Sequence, residues 1–154
     1  MSDLEFGVTT QWSGDAALGQ GRIATGNQQV HYSAPGSMGG VGVGTNPEEL
    51  LLSAVAACYT IGLARLLHKS GLPVASLQVQ AKGIVWGYPF ATKFARIIVS
   101  PDIHGADQTR FSEYESAAHG ARERCFIGKT LSGEVSYELG AVTLPPKNLA
   151  SGQQ

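Results

Sequence analysis

The alternation of hydrophobic and polar residues predicts most of the strands in this chain. Segments that alternate, or that are rich in β-branched and aromatic residues, read as strands: residues 4–12, 22–33, 74–86, 92–100 and 134–142. Within the second segment, Gly26-Asn27 is typical of a two-residue hairpin turn. Pro101 is expected to end the fourth strand.

A long helix is predicted to begin after residue 46. Asn46 is a good N-cap, Pro47 suits the first helical position, and Glu49 stands where a capping box has its glutamate. The helix should continue to about Ser70, where Gly71 ends it. A rod of that length measures roughly 36 Å, and nearly all of its side chains are apolar.

This apolar helix has two interpretations. Residues 50–67 are almost wholly apolar, and a membrane-spanning helix needs about 20 such residues. Arg65 interrupts the run, and the sequence holds no second candidate segment. A helix that is apolar on all sides in a water-soluble chain is a buried central helix. We therefore predict a central helix and no membrane partner.

Two further helices are predicted in the second half of the chain. Residues 106–124 suit an amphipathic helix that turns Phe111, Tyr114 and Ala118 to its apolar side. A short helical piece should follow over residues 125–131.

The order of these elements defines the fold class. Strands are followed by a long helix, further strands, a helix and a final strand, which is an α+β arrangement. No repeat or linker divides the chain, so we predict one domain over residues 1–154. Its last part, from about residue 145, is expected to be a flexible tail.

Composition and charge exclude several classes of partner. The net charge is −1 and no run of Lys and Arg occurs, so we expect no nucleic-acid partner and no anionic membrane surface. Charged residues make up only 15% of the chain, below the usual ~25%. A subunit partner is therefore expected to cover part of the surface. The N-terminal residues do not resemble a signal sequence, which favours a cytoplasmic location.

The chain has two cysteines, and each has a structural as well as a chemical interpretation. Cys58 lies among alanines in the middle of the long helix, where a free cysteine is commonly a small core residue. Cys125 follows Arg122 and Arg124 and opens a short helix, and both features are expected to lower the pKa of its thiol. Neither cysteine belongs to a CxxC motif, and the four histidines are scattered, so no metal site is predicted.

Two cysteines that meet in space can reduce a peroxide. One thiolate attacks the O–O bond and becomes a sulfenic acid, and the second thiol condenses with it to form a disulfide that an external dithiol must reduce. This chemistry needs a cation beside the thiolate, a carboxylate, and apolar walls for an alkyl tail. Glu48 and Glu49 precede Cys58 by about 14–15 Å along the helix. The spacing therefore permits such a site without requiring it.

Two segments carry a family resemblance. GTNPEELLLSAVAACYTIGLARLL, from Gly44 to Leu67, and RCFIGKTL, from Arg124 to Leu131, resemble the osmotically inducible protein C and organic hydroperoxide resistance family (OsmC/Ohr). The TNPEEL cap followed by Ala-Ala-Cys is the specific part of the resemblance. It covers nearly the whole chain, and its order of elements matches the order predicted above.

The resemblance implies a fold, an activity and partners. The fold would be OsmC-like, with curved antiparallel sheets around a long central helix in an intertwined homodimer. Cys58 would be the peroxidatic cysteine, Cys125 the resolving one, and Glu48 the carboxylate that pairs with an arginine, with Glu49 as possible support. The substrate would be an organic hydroperoxide. No bound cofactor is implied, and an external dithiol of the lipoyl type would reduce the disulfide.

One departure from the family pattern affects the chemistry. The family's arginine normally lies about ten residues before that glutamate, and residues 36–44 contain none. Without this guanidinium, the thiolate loses a fixed positive partner. Arg22, Arg122 and Arg124 are the candidates to replace it, and sequence does not choose among them. Two functions stay open: a peroxidase, or a catalytically weakened OsmC-like dimer that binds an apolar small molecule.

An aromatic cluster in the turn after the third predicted strand also has two interpretations. Trp86, Tyr88 and Phe90 either cover a pocket for an alkyl peroxide or simply pack against one another. The three residues are candidates for the substrate pocket.

Overall fold

A computed structural model describes residues 1–147 of the chain. The residues group into two compact units, Met1–Leu51 and Leu52–Gln154, and the prediction of one domain stays a prediction. Most of the predicted flexible tail falls on residues 148–154, which lie outside the described residues. Strands and helices follow one another in the predicted order, so the α+β class is confirmed.

The first unit contains a three-stranded antiparallel sheet. Strands β1 (Thr9–Ser13), β2 (Gln20–Thr25) and β3 (Gln28–Tyr32) are neighbours in that order. Gly26 has a φ of 57° at the tip of the β2–β3 hairpin, which confirms the predicted turn. The first strand is shorter than predicted. Thr9 of β1 pairs with Ala24, and β2 ends one residue later at Thr25. The residues before Thr9 therefore have almost no β2 backbone with which to pair.

The glycine-rich loop after β3 folds back onto that strand. The Ser33 hydroxyl is buried, donates to the Val43 carbonyl at 2.7 Å and accepts from the Val43 N–H at 2.8 Å. Gly44 has a φ of 71°, and a Cβ there would lie 2.3 Å from the His31 carbonyl oxygen. Glycine is required at this position because the loop backbone approaches the backbone of β3.

Helix α1 (Pro47–Lys69) begins and ends where the sequence predicts. The Asn46 side chain accepts a hydrogen bond from the Glu49 N–H at 2.8 Å, as an N-cap does. The Glu49 carboxylate in turn accepts from the Thr45 hydroxyl at 2.9 Å. Gly71 follows the helix with a φ of 63°, a conformation typical of a helix C-terminus.

Only one stripe of α1 is buried in the single chain. The buried side chains recur every fourth residue and are Val55, Tyr59, Leu63 and Leu67. The prediction of a helix buried on all sides is therefore wrong for one chain, because the opposite face is left uncovered. By length and composition α1 is also apolar enough to cross a membrane, a test that central helices of water-soluble proteins pass as well.

The second unit contains a mixed sheet. Strands β4 (Ser76–Trp86) and β5 (Lys93–His104) pair antiparallel over their whole length, and β6 (Ser136–Leu139) pairs parallel to β5. The antiparallel arrangement expected of both sheets therefore holds for β4 and β5 but not for β6.

Pro101 does not end β5, contrary to the prediction. The Pro101 carbonyl accepts from the Thr143 N–H at 3.0 Å, and Ile103 donates to the Thr143 carbonyl at 2.8 Å. The Pro101 nitrogen lies on the same side of β5 as these groups and not on the side of β4. Because the missing N–H costs no β4–β5 hydrogen bond, the strand continues to His104.

Helices α2 (Phe111–Arg124) and α3 (Phe126–Leu131) follow β5. Tyr114 is fully buried, as predicted, and its hydroxyl donates to the Pro73 carbonyl at 2.6 Å. Ala118 is also buried, but Phe111 is 43% exposed, so its predicted inward position is wrong. Phe111 opens the helix at its exposed end, one residue after a short 3-10 turn.

Candidate thiol site

Cys58 lies at the margin of the buried stripe of α1. A helix turns about 100° per residue, so Cys58 lies beside Val55 and Tyr59, which are fully buried. Its own side chain is partly exposed. The same spacing brings Arg65 to the face of α1 that carries Cys58, two turns later. Cys58 packs against the core on one side and keeps an opening on the other.

Cys125 connects α2 to α3 and is buried. It is the N-cap of α3, as the sequence predicts, and only 3% of it is exposed. Its sulfur accepts a hydrogen bond from the Gly128 N–H at 3.4 Å. Both cysteines are free thiols.

The two thiols meet at one cavity of about 370 Å³ in the second unit. It is lined by two cysteines, two arginines, two apolar side chains and a glycine: Cys58, Cys125, Arg65, Arg124, Ile61, Phe126 and Gly62. The Cys58 thiol also lies close enough to Cys125 to affect the ionisation of the Cys125 sulfur. The structure thus brings together two cysteines that are distant in the sequence.

Burial raises the pKa of the Cys125 thiol above its ordinary value. The Gly128 N–H, which donates a hydrogen bond to the sulfur, opposes this effect, whereas the neighbouring Cys58 thiol adds to it. The prediction that the helix N-terminus and nearby arginines lower the pKa of Cys125 is therefore wrong. Removal of the thiolate from water outweighs the donors at the start of α3.

Tyr137 is a site residue that the sequence did not single out. It lies on β6 with 8% of its surface exposed. Burial raises the pKa of its phenol, and the neighbouring Cys125 thiol raises that pKa further. The alternation of residues 134–142 predicted a strand here, but nothing in that pattern linked Tyr137 to a cysteine.

The predicted arginines have three different positions. Arg124 lines the thiol cavity. Arg122 donates to the Tyr137 carbonyl at 2.8 Å, so its guanidinium is engaged on β6. Arg22 is exposed on β2 in the first unit. The sequence did not predict Arg65 as a site residue. A charged residue seven positions after Cys58 lies on the same face of the helix as Cys58, and this spacing was a usable signal.

The two predicted glutamates lie in the first turn of α1, in the first unit. One carboxylate oxygen of Glu48 is buried and, within residues 1–147, has no hydrogen-bond partner. Glu49 is engaged with Thr45 in the cap of the helix.

The aromatic residues of the β4–β5 hairpin are exposed. Trp86 is 57%, Tyr88 54% and Phe90 97% exposed. None of the three lines the thiol cavity. Their predicted role as a pocket cover stays a prediction.

Comparisons with known proteins identify the family of this chain. The family model described as OsmC-like protein matches residues 39–140. The chain belongs to the OsmC-like family, as the motifs around both cysteines indicate. It is 34% identical over 144 residues to YmaD of Bacillus subtilis, an uncharacterized protein, a match that covers 92% of this chain and 95% of that protein.

Two other relatives are named for redox functions. The peroxiredoxin OsmC of Escherichia coli is 26% identical over 133 residues, which covers 82% of this chain and 90% of that protein. The solved structure of an organic hydroperoxide resistance protein OsmC from Legionella pneumophila has a TM-score of 0.71 and 20% identity. The match covers 92% of this chain and 100% of that one. At 20% identity, the similarity to the Legionella structure shows the fold alone.

The raised pKa of Cys125 predicts its reactivity with an alkylating reagent. At a given pH a thiol with a raised pKa holds less thiolate, and the thiolate is the reacting form. We expect alkylation of Cys125 in the native protein to rise only above pH ~8.5, the ordinary thiol value. Mass spectrometry of iodoacetamide-treated protein at increasing pH measures this rate at each cysteine. Unfolded protein is the control. If Cys125 in the native protein reached half of its maximal alkylation rate at or below the ordinary thiol pKa, the raised pKa of Cys125 would be contradicted.

Proposed function

We propose that this protein is a thiol peroxidase that reduces organic hydroperoxides through Cys58 and Cys125. The Cys58 thiolate attacks the terminal peroxide oxygen, the O–O bond breaks, and a Cys58 sulfenic acid forms. The leaving alkoxide takes up the proton that the Cys58 thiol lost and becomes an alcohol. The Cys125 thiol condenses with that acid, so that an S–S bond forms and water leaves. An external dithiol then reduces the disulfide and is itself oxidised. The observation that carries this proposal is the meeting of both thiols at one cavity.

The exposures of the two thiols support this division of roles. The attacking sulfur must be reached by the peroxide, and Cys58 is the more exposed of the two. Cys125 is 3% exposed, and burial raises its pKa. A protonated, buried thiol is protected from peroxide and reacts only with a partner that is already beside it.

Two guanidinium groups supply the positive charge that the thiolate needs. Arg65 and Arg124 line the cavity with the cysteines. Within the described part of the chain neither forms an ion pair with an acidic side chain. We propose that they replace the loop arginine that residues 36–44 lack. Glu48 is the carboxylate that we assign to this chemistry, and the assignment rests on the family resemblance.

The apolar lining favours a substrate with an alkyl group. Ile61 and Phe126 form the apolar part of the cavity wall, and hydrogen peroxide gains nothing from such a wall. The name of the Legionella relative, an organic hydroperoxide resistance protein, agrees with this substrate class. The name of the Escherichia coli relative agrees with the peroxidase activity.

The partners we propose are a second copy of the chain and a dithiol of the lipoyl type, in the cytoplasm. On α1 the face opposite the buried stripe is exposed and consists largely of small apolar residues: Ala54, Ala57, Ile61 and Ala64. An uncovered apolar stripe along a long helix is the surface on which a second helix packs. The dithiol rests on the family resemblance, and no bound cofactor is proposed.

A binding function is the second candidate. The missing loop arginine favours it, because a thiolate at Cys58 loses a fixed positive partner. In this case the apolar cavity holds a small molecule without turnover.

Counting thiols separates the two functions. One equivalent of cumene hydroperoxide should reduce the free thiols from two to zero, because Cys58 and Cys125 form a disulfide, and dihydrolipoamide should restore both. Cys58→Ser should abolish the reaction. Cys125→Ser should stop at a sulfenic acid that dimedone labels. If both thiols stay free after treatment and cumyl alcohol raises the thermal unfolding midpoint of the protein, the binding function would be supported instead.

The arginine assignment predicts a loss of rate. Arg65→Gln and Arg124→Gln each remove one charge beside the thiolate, and we expect either change to slow Cys58 oxidation roughly tenfold or more. The measurement is the second-order rate of sulfenic acid formation under single turnover. Arg96→Gln is the matched control, since Arg96 is paired with Glu138 at 2.7 Å outside the cavity and its loss should leave the rate unchanged. Wild-type rates in both test variants would contradict the assignment and leave Arg22 and Arg122 as the remaining candidates.

The dimer predicts a solution mass of twice 16.1 kDa. Ala64→Glu adds a carboxylate to the exposed stripe of α1, and burying an unpaired charge costs several kcal/mol, so this variant should be monomeric. Ser116→Glu, on the exposed side of α2, is the control and should stay dimeric. Light scattering after size exclusion measures both masses. A monomeric wild-type protein would remove the proposed partner.

A further inference from the structure

The side chain of Phe126 is exposed on α3, and the packing of that helix does not require it there. It is 65% exposed, although phenylalanine is among the residues most often buried in a core. The other large apolar residues of α3, Ile127 and Leu131, pack against the core, and Gly128 is buried. These residues are sufficient to hold α3 in place. Folding of the single chain therefore does not account for an aromatic ring at residue 126.

The Phe126 ring lies on the wall of the thiol cavity. Phe126 follows Cys125 directly and lines the cavity of about 370 Å³ together with Cys58. Ile61, which is 54% exposed, belongs to the same wall. An apolar group that entered the cavity would remove both side chains from water, which is favourable in proportion to the apolar area covered. The exposed ring is thus a surface on which an apolar part of a substrate can pack.

Gly62 leaves open space on the α1 side of the same cavity. It lies within a long helix, where glycine is less favourable than alanine. In the part of the chain that the structure describes, a Cβ at Gly62 would meet no atom within 4 Å apart from the backbone of its own helix. No close contact in the single chain therefore requires glycine. Gly62 lines the cavity one helical turn after Cys58, so the missing side chain widens the cavity beside that thiol.

The two guanidinium groups of the cavity distinguish an aryl group from an alkyl group. Arg65 and Arg124 line the cavity, and within residues 1–147 neither is ion-paired. A guanidinium is attracted to the face of an aromatic ring, and a saturated alkyl group has no such face. An aromatic ring also packs favourably against a second ring such as that of Phe126. Both kinds of contact favour an aryl group in this cavity.

We propose that Phe126 is a specificity-determining residue and that the preferred substrate is an organic hydroperoxide with an aryl group beside the O–O bond. This inference deepens the proposed peroxidase function and rests on it for the reaction. The aryl group lies between the Phe126 ring and the open space at Gly62, and the O–O bond is directed at Cys58. The bonds that form and break are those of the peroxidase reaction, and the aryl group stays in the alcohol product.

Two tertiary hydroperoxides test this preference because they differ in one substituent. Cumene hydroperoxide carries a phenyl group where tert-butyl hydroperoxide carries a methyl group. The measurement is the second-order rate of Cys58 sulfenic acid formation with each peroxide. The ratio of the two rates is divided by the same ratio for N-acetylcysteine, which cancels the intrinsic reactivity of the peroxides.

This corrected ratio should favour cumene hydroperoxide by about threefold to tenfold in the wild-type protein, the range of one aromatic contact. A corrected ratio near one would overturn the proposal, even where both peroxides oxidise Cys58.

Variants of Phe126 test the residue itself. Phe126→Leu keeps an apolar side chain and removes the aromatic ring, so we expect the corrected ratio to fall about threefold. Phe126→Ala should lower it further, because the apolar surface is lost as well. Phe111→Ala is the matched control, since Phe111 also opens a helix, is 43% exposed and does not line the thiol cavity. It should keep the wild-type ratio. A wild-type ratio in both Phe126 variants, or an equal fall in the control, would overturn the proposal.

Gly62→Ala tests the open space independently. The added methyl group meets nothing in the single chain, so the variant should fold with a thermal midpoint no lower than that of the wild type. It should lower the corrected ratio, because the phenyl group needs the space that the methyl group fills. An unchanged ratio would count against the proposed position of the aryl group.

Binding of the alcohol products separates failure of this inference from failure of the peroxidase function. Cumyl alcohol and tert-butanol need no chemistry to bind. At equal concentration cumyl alcohol should raise the thermal midpoint of the wild-type protein more than tert-butanol does, and Phe126→Ala should remove that difference. If this holds while both thiols stay free after peroxide treatment, the aryl site stands and the peroxidase function alone fails. Equal effects of the two alcohols on the wild-type protein would overturn the aryl site whatever the activity.

Discussion

The rotation of α1 about its own axis is the constraint on which the thiol site depends. Val55, Tyr59 and Leu63 are fully buried at intervals of four residues, so the core determines which face of the helix turns inward. The hydrogen bond from Tyr59 to the Ala118 carbonyl ties that face to α2. Since each residue turns the helix by about 100°, this rotation keeps Cys58 at the edge of the stripe. A rotation by one residue in either direction would bury its sulfur or turn it away from Cys125.

The two thiols occupy environments that suit successive steps of one reaction. Cys58 borders the cavity that the proposed substrate would enter, while Cys125 is buried and accepts a hydrogen bond from Gly128 of α3. A sulfenic acid is oxidised further if a second peroxide reaches it before a thiol does. The closeness of Cys125 to Cys58 would limit this further oxidation, because the second thiol is already beside the first.

Local sequence signals predicted most helices and strands, but they did not predict the electrostatics of the thiol site. The Asn46 cap and the Gly26 turn depend on neighbouring residues, so the sequence was sufficient for both. The continuation of β5 through Pro101 depends on Thr143, which lies far along the chain. The pKa of Cys125 likewise depends on burial by the whole second unit, and that burial reversed the direction expected from the helix N-terminus. The sequence did not link Tyr137 to the thiols because the parallel pairing of β6 with β5 brings it near them. Hydrophobic periodicity does not predict which strands pair.

Assembly and access to the site are linked through one side chain. Ile61 is 54% exposed on the apolar stripe of α1 and also lines the thiol cavity. A second helix packed on that stripe would therefore contact a wall of the cavity itself. Covering Ile61 would remove water from the margin of the site, and charges act more strongly on a thiolate when water is excluded. The arginines at the cavity would then stabilise the Cys58 thiolate more strongly in the assembled protein than in the single chain. In this arrangement a partner subunit would strengthen the proposed chemistry by excluding water from the site.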